Sequence, residues 1–584
     1  MLRSAPAPGQ APLPATDAAE LLRRNAASPR IGPRPAIRFG VDSWTHTQVA
    51  AEAVRFANLL EAHRPDPAAG RPAHVGVLLD NTPDYLFTLA GAAYAGAVVV
   101  GLNPTRVGEH LLRDLTHTDV DLIITEPAHL ADLAGLDLGG RPVLVSHRFD
   151  DGPAGDRRAG RDDDLDAALA AVGADDPRLA HDPDVTWALV FTSGTSGAPK
   201  AVICSQRRLL VTGARMTIMM DIGPDDVGYV AMPLFHSNSL MVGWMPSIVA
   251  GASIGLARRF TASGFLADVR RYGSTWFNYT GKPLSYVLAT PEQPDDADNP
   301  LRVAFGNEGS PRVLDEFARR FGVEVIDAFG STEGAVALNR DGAAREGAMG
   351  VAGEAIRILD ERGEDCEVAT FDGEGHLTNA DRCVGEIVNT AGAGPFEGYY
   401  NNAEATEKAT RNGWYWSGDL GYLDADRYLY FAGRTAEWIR VDGENFPAGP
   451  IAEALAGHPD VVVAAAYGVP DADAGDQVMA ALVLHPGASF DPIAFAGWLD
   501  GPAGIGPKWR PRYVRVAAEL PSTGTNKIVT RTLARERFRH DRVGADEVWV
   551  RERGDDAYRP FTSTDEAALH ARFVANGRER FWDL

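Results

Sequence analysis

Nine consecutive residues, TSGTSGAPK at 192–200, bring together four hydroxyls, two glycines and one lysine. Glycine lets the main chain turn its N–H groups toward one point and lets an anion approach closely. Hydroxyls add donors and Lys200 adds positive charge, so this composition suits a phosphate. The order of residues is not Walker A, which needs Gly-x-x-x-x-Gly-Lys-Ser/Thr. A flexible Gly/Ser loop without a ligand is the plainer alternative for the nine residues taken alone.

The elements that position this loop are legible around it. The apolar run TWALVF (186–191) before it reads as a buried strand. Earlier, HVGVLLD (74–80) and DLIITE (121–126) read as short buried strands, and WTHTQVAAEAVRFANLLEAH (44–63) as an amphipathic helix. Strand and helix signals alternate to about residue 340, as parallel βα units require. Residues 350–432 change character. Short, turn-punctuated segments such as GEIVNTAG and RYLYFAGR predict a β-rich subdomain. PDVVVAAAYGVP and DQVMAALVLHP predict sheet strands of a further domain toward the C-terminus. The expected organisation is an arm over 1–36, a main domain over 37–434, a mobile domain over 435–545 and a polar tail over 546–584.

At 584 residues the chain exceeds what one core organises. Its 45% hydrophobic and 23% charged content is ordinary for a globular protein, and its net charge of −24 argues against a nucleic-acid partner. Cys204, Cys366 and Cys383 are odd in number, widely spaced and without metal-ligand spacing, which predicts a cytoplasmic location. LFTLAGAAYAGAVVVGL (86–102) is the best candidate membrane span. Its many Ala and Gly residues favour a packed helix running into a buried strand, so no integral membrane segment is expected.

Further segments follow the loop in order: MPLFHSNSL (232–240), DAFGSTEG (327–334), WYWSGDLGYLD (414–424), FAGRTAEWIRVDGENF (431–446) and LPSTGTNKI (520–528). Together the six resemble the motifs of the adenylate-forming superfamily, which holds the acyl-CoA synthetases, peptide-synthetase adenylation domains and luciferases. The resemblance spans nearly the whole chain. It implies an α/β fold: a large N-terminal domain of several subdomains, one of them β-rich, and a small mobile C-terminal α+β domain.

The resemblance also implies roles. Thr192, Ser193, Gly194, Thr195, Ser196, Gly197 and Lys200 would hold the ATP phosphates, and Gly330 and Ser331 would belong to the ATP site. Thr332 would donate a hydroxyl to phosphate, and Glu333 would give a hard oxygen to Mg²⁺. Asp327 would accept from the adenine amine, Asp419 from the ribose hydroxyls, and Arg434 would contact ribose or phosphate. Lys527 would stabilise charge building on the phosphoryl oxygens, the central catalytic task. His236, Tyr279 and Leu284 would wall the acid site. Gly443 would leave room for the pantetheine of coenzyme A, and Ala436, where many relatives carry Asp or Lys, would mark the hinge. Singly, these residues have commoner readings: a helix start for Thr-Glu, a turn for Asp419, a surface charge for Lys527.

YTGKPLSYVL (279–288) and FGNEGSPRVLDEFARRFG (305–322) resemble the fatty-acid transport protein and very-long-chain acyl-CoA synthetase branch, and within it actinobacterial fatty-acid or steroid-acid CoA ligases. Lys282 and Glu308 depart from that branch; they either pair with each other or make the acid pocket more polar. The implied activity uses ATP, Mg²⁺ and coenzyme A. A carboxylic acid becomes an acyl-adenylate with release of pyrophosphate, then a coenzyme A thioester with release of AMP. The alternative within the fold is activation of nitrite for diazotisation of an aromatic amine. The expected partners are a small-molecule acid, ATP and coenzyme A; the oligomeric state, a homodimer included, stays open.

Overall fold

The computed structural model describes residues 11–149, 164–192, 200–280, 283–307, 309, 311–339, 345, 348–372, 377–434, 438–441, 444–472, 476–501, 503, 505–523, 527–576 and 578–582. Two mostly parallel sheets form the N-terminal body. The six-stranded sheet runs, across its width, Val143–Val145, Leu122–Thr125, His74–Leu78, Val98–Gly101, Thr186–Phe191 and Ala201–Ser205. Its parallel strands His74–Leu78, Val98–Gly101 and Leu122–Thr125 are buried throughout, which is why they read as unbroken apolar runs. An eight-stranded sheet has five parallel pairings in its interior and antiparallel strands at both edges.

Helix His46–Ala62 starts at a capping box in which Thr45 and Gln48 satisfy each other's backbone N–H groups. It packs on helix Pro83–Ala95, every residue of which is buried. Close approach depends on Gly91, where a Cβ would meet Phe56 Cβ at 2.4 Å. Gly96, at φ +66°, ends that helix in the left-handed conformation and the chain enters strand Val98–Gly101. The apolar run at 86–102 is thus a packed helix and strand. Among the described residues no helix is long and apolar enough to cross a membrane.

A five-stranded antiparallel sheet uses residues from Ala348 to Arg434. The C-terminal part has a mixed five-stranded sheet beginning with Val461–Pro470 and Asp476–Leu484.

Two boundaries differ from expectation. Residues 18–27 are not a loose arm: helix Ala18–Ala27 buries Ala18, Ala19, Leu21 and Leu22 in the main core, and Gln206 caps it from 188 positions away. Nor do residues 546–584 form a separate tail. Strand Glu547–Val550 pairs with Tyr513–Val516, and helix Ser563–Ala575 sets Leu569 and Phe573 into the C-terminal core beside Trp582. Both segments are polar on average. Their few apolar side chains fall on one face, which average composition conceals.

Candidate active site

A cavity of about 790 Å³ lies where the N-terminal body, the antiparallel sheet and the C-terminal domain meet. Its lining includes Thr192, Lys200, His236, Asp327, Gly330, Ser331, Thr332, Glu333, Asp419 and Lys527. Motifs spread over more than three hundred residues of sequence therefore converge on one space.

A strand lies on either side of the glycine- and hydroxyl-rich segment. Strands Thr186–Phe191 and Ala201–Ser205 pair antiparallel, and Thr192 N donates to the Lys200 carbonyl at 3.0 Å. Both ends of the loop face the cavity, with the Lys200 ammonium 5.4 Å from the Tyr399 ring centroid. Ser193, Gly194, Thr195, Ser196 and Gly197 lie outside the described residues, as do Lys282, Glu308, Ala436 and Gly443.

Strand Glu324–Gly330 delivers Asp327 and then the Ser331-Thr332-Glu333 turn. Asp327 Oδ2 accepts from Tyr279 Oη at 2.9 Å and from Gly309 N at 3.0 Å, which fixes the carboxylate at the cavity edge. Thr332 Oγ1 shares a 2.9 Å hydrogen bond with Ser237 Oγ. Glu333, 8% exposed, accepts from Tyr399 Oη at 2.7 Å through Oε1. Burial, then the Glu333 charge, push the Tyr399 phenol well above its ordinary range, so it stays protonated and donates. The Thr332 hydroxyl and Glu333 carboxylate are hard oxygen donors at one wall, a fit for Mg²⁺, which keeps several waters and needs few protein ligands.

Asp419, 8% exposed, sits in strand Tyr415–Leu423 directly opposite Arg434 in strand Tyr428–Arg434. Gly418 precedes it at φ +74°, a conformation that favours glycine, and donates its N–H to Glu386 Oε1 at 2.9 Å. From the C-terminal domain comes Lys527. Its backbone is held by Thr523, whose N–H donates to the Lys527 carbonyl at 2.7 Å and whose Oγ1 accepts from Lys527 N at 3.2 Å.

One expectation is corrected. Tyr279 and Leu284 do not wall the acid site; both are fully buried in the aromatic cluster around Phe277 and Phe317. The strand carrying Tyr279 turns the ring inward, and the hydroxyl supports Asp327 instead.

Several lining residues carried no signal in the sequence. Arg208 is buried and donates to the carbonyls of Ile203, Thr332 and Glu333, pinning the turn that presents the last two. Tyr399 is another. The partly exposed Phe431 and Phe329, ring centroids 5.9 Å apart, both line the cavity and give it aromatic surface of the kind a planar base packs on. Met241 and Val242 come from a π-helical stretch, Asn238–Trp244, a wide winding common at functional sites. Only the segment MPLFHSNSL, which leads into that stretch, hinted at it.

A two-sheet α/β body, an antiparallel subdomain and a small C-terminal domain supplying a lysine to a shared cavity define an adenylate-forming enzyme. Residues 22–400 match the AMP-binding enzyme family and residues 451–527 match the AMP-binding enzyme C-terminal domain; the chain belongs to this family. It is 45% identical over 558 residues to the steroid-22-oyl-CoA synthetase of Rhodococcus jostii, covering 94% of this chain and 96% of that one. It is 46% identical over 478 residues to a medium/long-chain fatty-acid–CoA ligase of Mycobacterium marinum, covering 81% and 87%. Among solved structures, the anthranilate CoA ligase AuaEII in complex with anthranoyl-AMP superposes with a TM-score of 0.72 at 21% identity, covering 90% of this chain and 98% of that one.

Proposed function

We propose that the chain is an ATP-dependent acid–coenzyme A ligase acting on a carboxylic acid with an apolar body. The observation that carries this reading is the convergence of Lys200, Thr332, Glu333, Asp419 and Lys527 on one cavity whose lining also includes apolar side chains. Met216, Met241, Val242, Phe305 and Met349 are among these. The relatives named for steroid and fatty acids support the acid class.

In the first half-reaction a carboxylate oxygen attacks the α-phosphorus of ATP, and the bond to the pyrophosphate oxygen breaks. Lys200 and the hydroxyl-rich loop hold the phosphates. Lys527 meets the negative charge that grows on the phosphoryl oxygens, where a positioned ammonium lowers the barrier most. Thr332 donates its hydroxyl to a phosphate, and Glu333 would hold Mg²⁺, which supplies charge neutralisation at the phosphates when bound. Asp419 and Arg434 take the ribose, Asp327 the adenine amine, and Phe329 stacks on the base. In the second half-reaction the coenzyme A thiolate attacks the acyl carbonyl and AMP leaves. By the motif resemblance, Gly443 would leave room for the pantetheine and Ala436 would mark the hinge between the two arrangements. The three cysteines, odd in number and widely spaced, support a cytoplasmic site of action.

The test is pyrophosphate release over a panel of carboxylic acids and nitrite, with and without coenzyme A, with mass analysis of products. A coenzyme A thioester is the expected product. AMP release only with nitrite and an arylamine would overturn the reading.

A further inference from the structure

Helix Gln206–Met219 sets Arg208, Thr212, Arg215 and Met216 along one wall of the cavity. These positions form a single helical stripe, and the stripe has a direction. At its start, Arg208 is committed to the chain itself, donating to the carbonyls of Ile203, Thr332 and Glu333. That end is the reacting end. Thr212 is committed too, its hydroxyl donating to the Arg208 carbonyl at 2.8 Å. Arg215 follows two turns after Arg208, about 10 Å further along the axis. The π-helical stretch that carries Met241 and Val242 packs against the same helix, and Met216, Met241 and Val242 line the cavity together with Arg215.

We propose that Arg215 is a specificity-determining residue that selects acids carrying a hydrogen-bond-accepting oxygen at the end remote from the carboxyl. This rests on the ligase reading above. A guanidinium has five N–H donors in a planar fork, enough to serve a wall contact and a ligand oxygen together. Burial by its neighbours already draws the Arg215 pKa below the ordinary arginine value. A saturated chain lying along this wall would strip more water from the cation and return no hydrogen bond. An oxo, hydroxyl or second carboxylate group offsets that cost, the carboxylate through a charge-assisted pair. Lys200 and Lys527 belong to the phosphate end and do not perform this task.

The experiment measures kcat/KM for AMP formation by the full chain with decanoic acid, ω-hydroxydecanoic acid and decanedioic acid, matched in length. The wild-type protein is expected to favour one or both oxygenated acids by about tenfold or more, the scale of one hydrogen bond to a charged group. Preference for the hydroxy acid assigns a neutral acceptor, and preference for the diacid an anionic one. Arg215→Met is expected to lose the preference and to turn over decanoic acid at least as well as wild type, while Arg215→Lys keeps part of it. Equal use of the three acids by wild type, or a wild-type preference for decanoic acid, overturns the inference alone. So does an equal loss for all three acids in Arg215→Met with an unchanged melting curve. If that variant does not fold, the wild-type ranking and Arg215→Lys decide. AMP formation with no acid at all overturns the ligase reading and this inference with it.

Discussion

At the scale of single residues, two groups separate chemistry from support. Lys527→Ala removes the one cation that the C-terminal domain's LPSTGTNKI motif places at the cavity. Adenylate formation is expected to fall on the order of 10²-fold or more, while thioester formation from preformed adenylate continues. Single-turnover assays of each half-reaction check this, and equal loss in both would count against the assigned role. Tyr279 acts differently, through Asp327. Tyr279→Phe deletes one donor to a buried carboxylate and should raise the KM for ATP about tenfold with kcat nearly unchanged. A fall in kcat at unchanged KM would place Tyr279 nearer the chemistry. The motif around Asp327 was legible in sequence because its residues are contiguous. Its supporting phenol, from another strand 48 positions earlier, was misassigned because alternation along a strand does not say which face meets the ligand.

At the scale of elements, helix Pro83–Ala95 carries an acid where its sequence is otherwise apolar. Asp84 is fully buried; Ser146 Oγ donates to it at 2.5 Å and Arg148 Nη1 at 3.0 Å. Burial pushes its pKa up to about 6, with Arg148 and Ser146 pulling the other way. A carboxyl whose folded pKa exceeds its unfolded value binds its proton more tightly in the folded chain. Its contribution is therefore fully present below about pH 4 and is lost as pH rises toward about 6. Relative to Asp84→Asn, which cannot titrate, wild-type stability should fall by about 2–3 kcal/mol across that window. Denaturant unfolding of both proteins at a series of pH values measures the difference, and a pH-independent difference would exclude the shift. The helix itself was visible from its apolar run and the turn glycine after it. The ion pair was not, because Arg148 arrives from a separate segment 64 positions on.

At the scale of the whole molecule, the cavity exists only where domains meet. Arg312 on helix Pro311–Phe321 donates to the Gly457 carbonyl at 3.2 Å, and Tyr286 packs against the C-terminal core. That core also needs the last residues of the chain. Ending the chain at residue 545 removes strand Glu547–Val550 and the buried Phe573 and Trp582. The truncated protein is expected to lose both half-reactions and to be cleaved rapidly within the C-terminal domain under limited proteolysis, with the N-terminal body resistant. Full activity in the truncated chain would show that the terminal strand and helix are dispensable.

By itself the sequence determined what contiguous residues encode: the glycine- and hydroxyl-rich segment, the order of the six motifs, the buried parallel strands and the family to which they belong. Local composition suffices there, because a turn needs its glycine and a doubly covered strand needs its apolar run. Only the tertiary structure decided which side chains face the common cavity. Arg208 and Arg215 share one helix and both line the cavity, and the first pins the turn at Thr332 and Glu333 through their carbonyls. Tyr279 and Asp327 look alike as candidate ligands in the sequence, but one is packed under the other. Those outcomes depend on which elements stack on which, and on partners tens to hundreds of positions apart, so no local pattern specifies them.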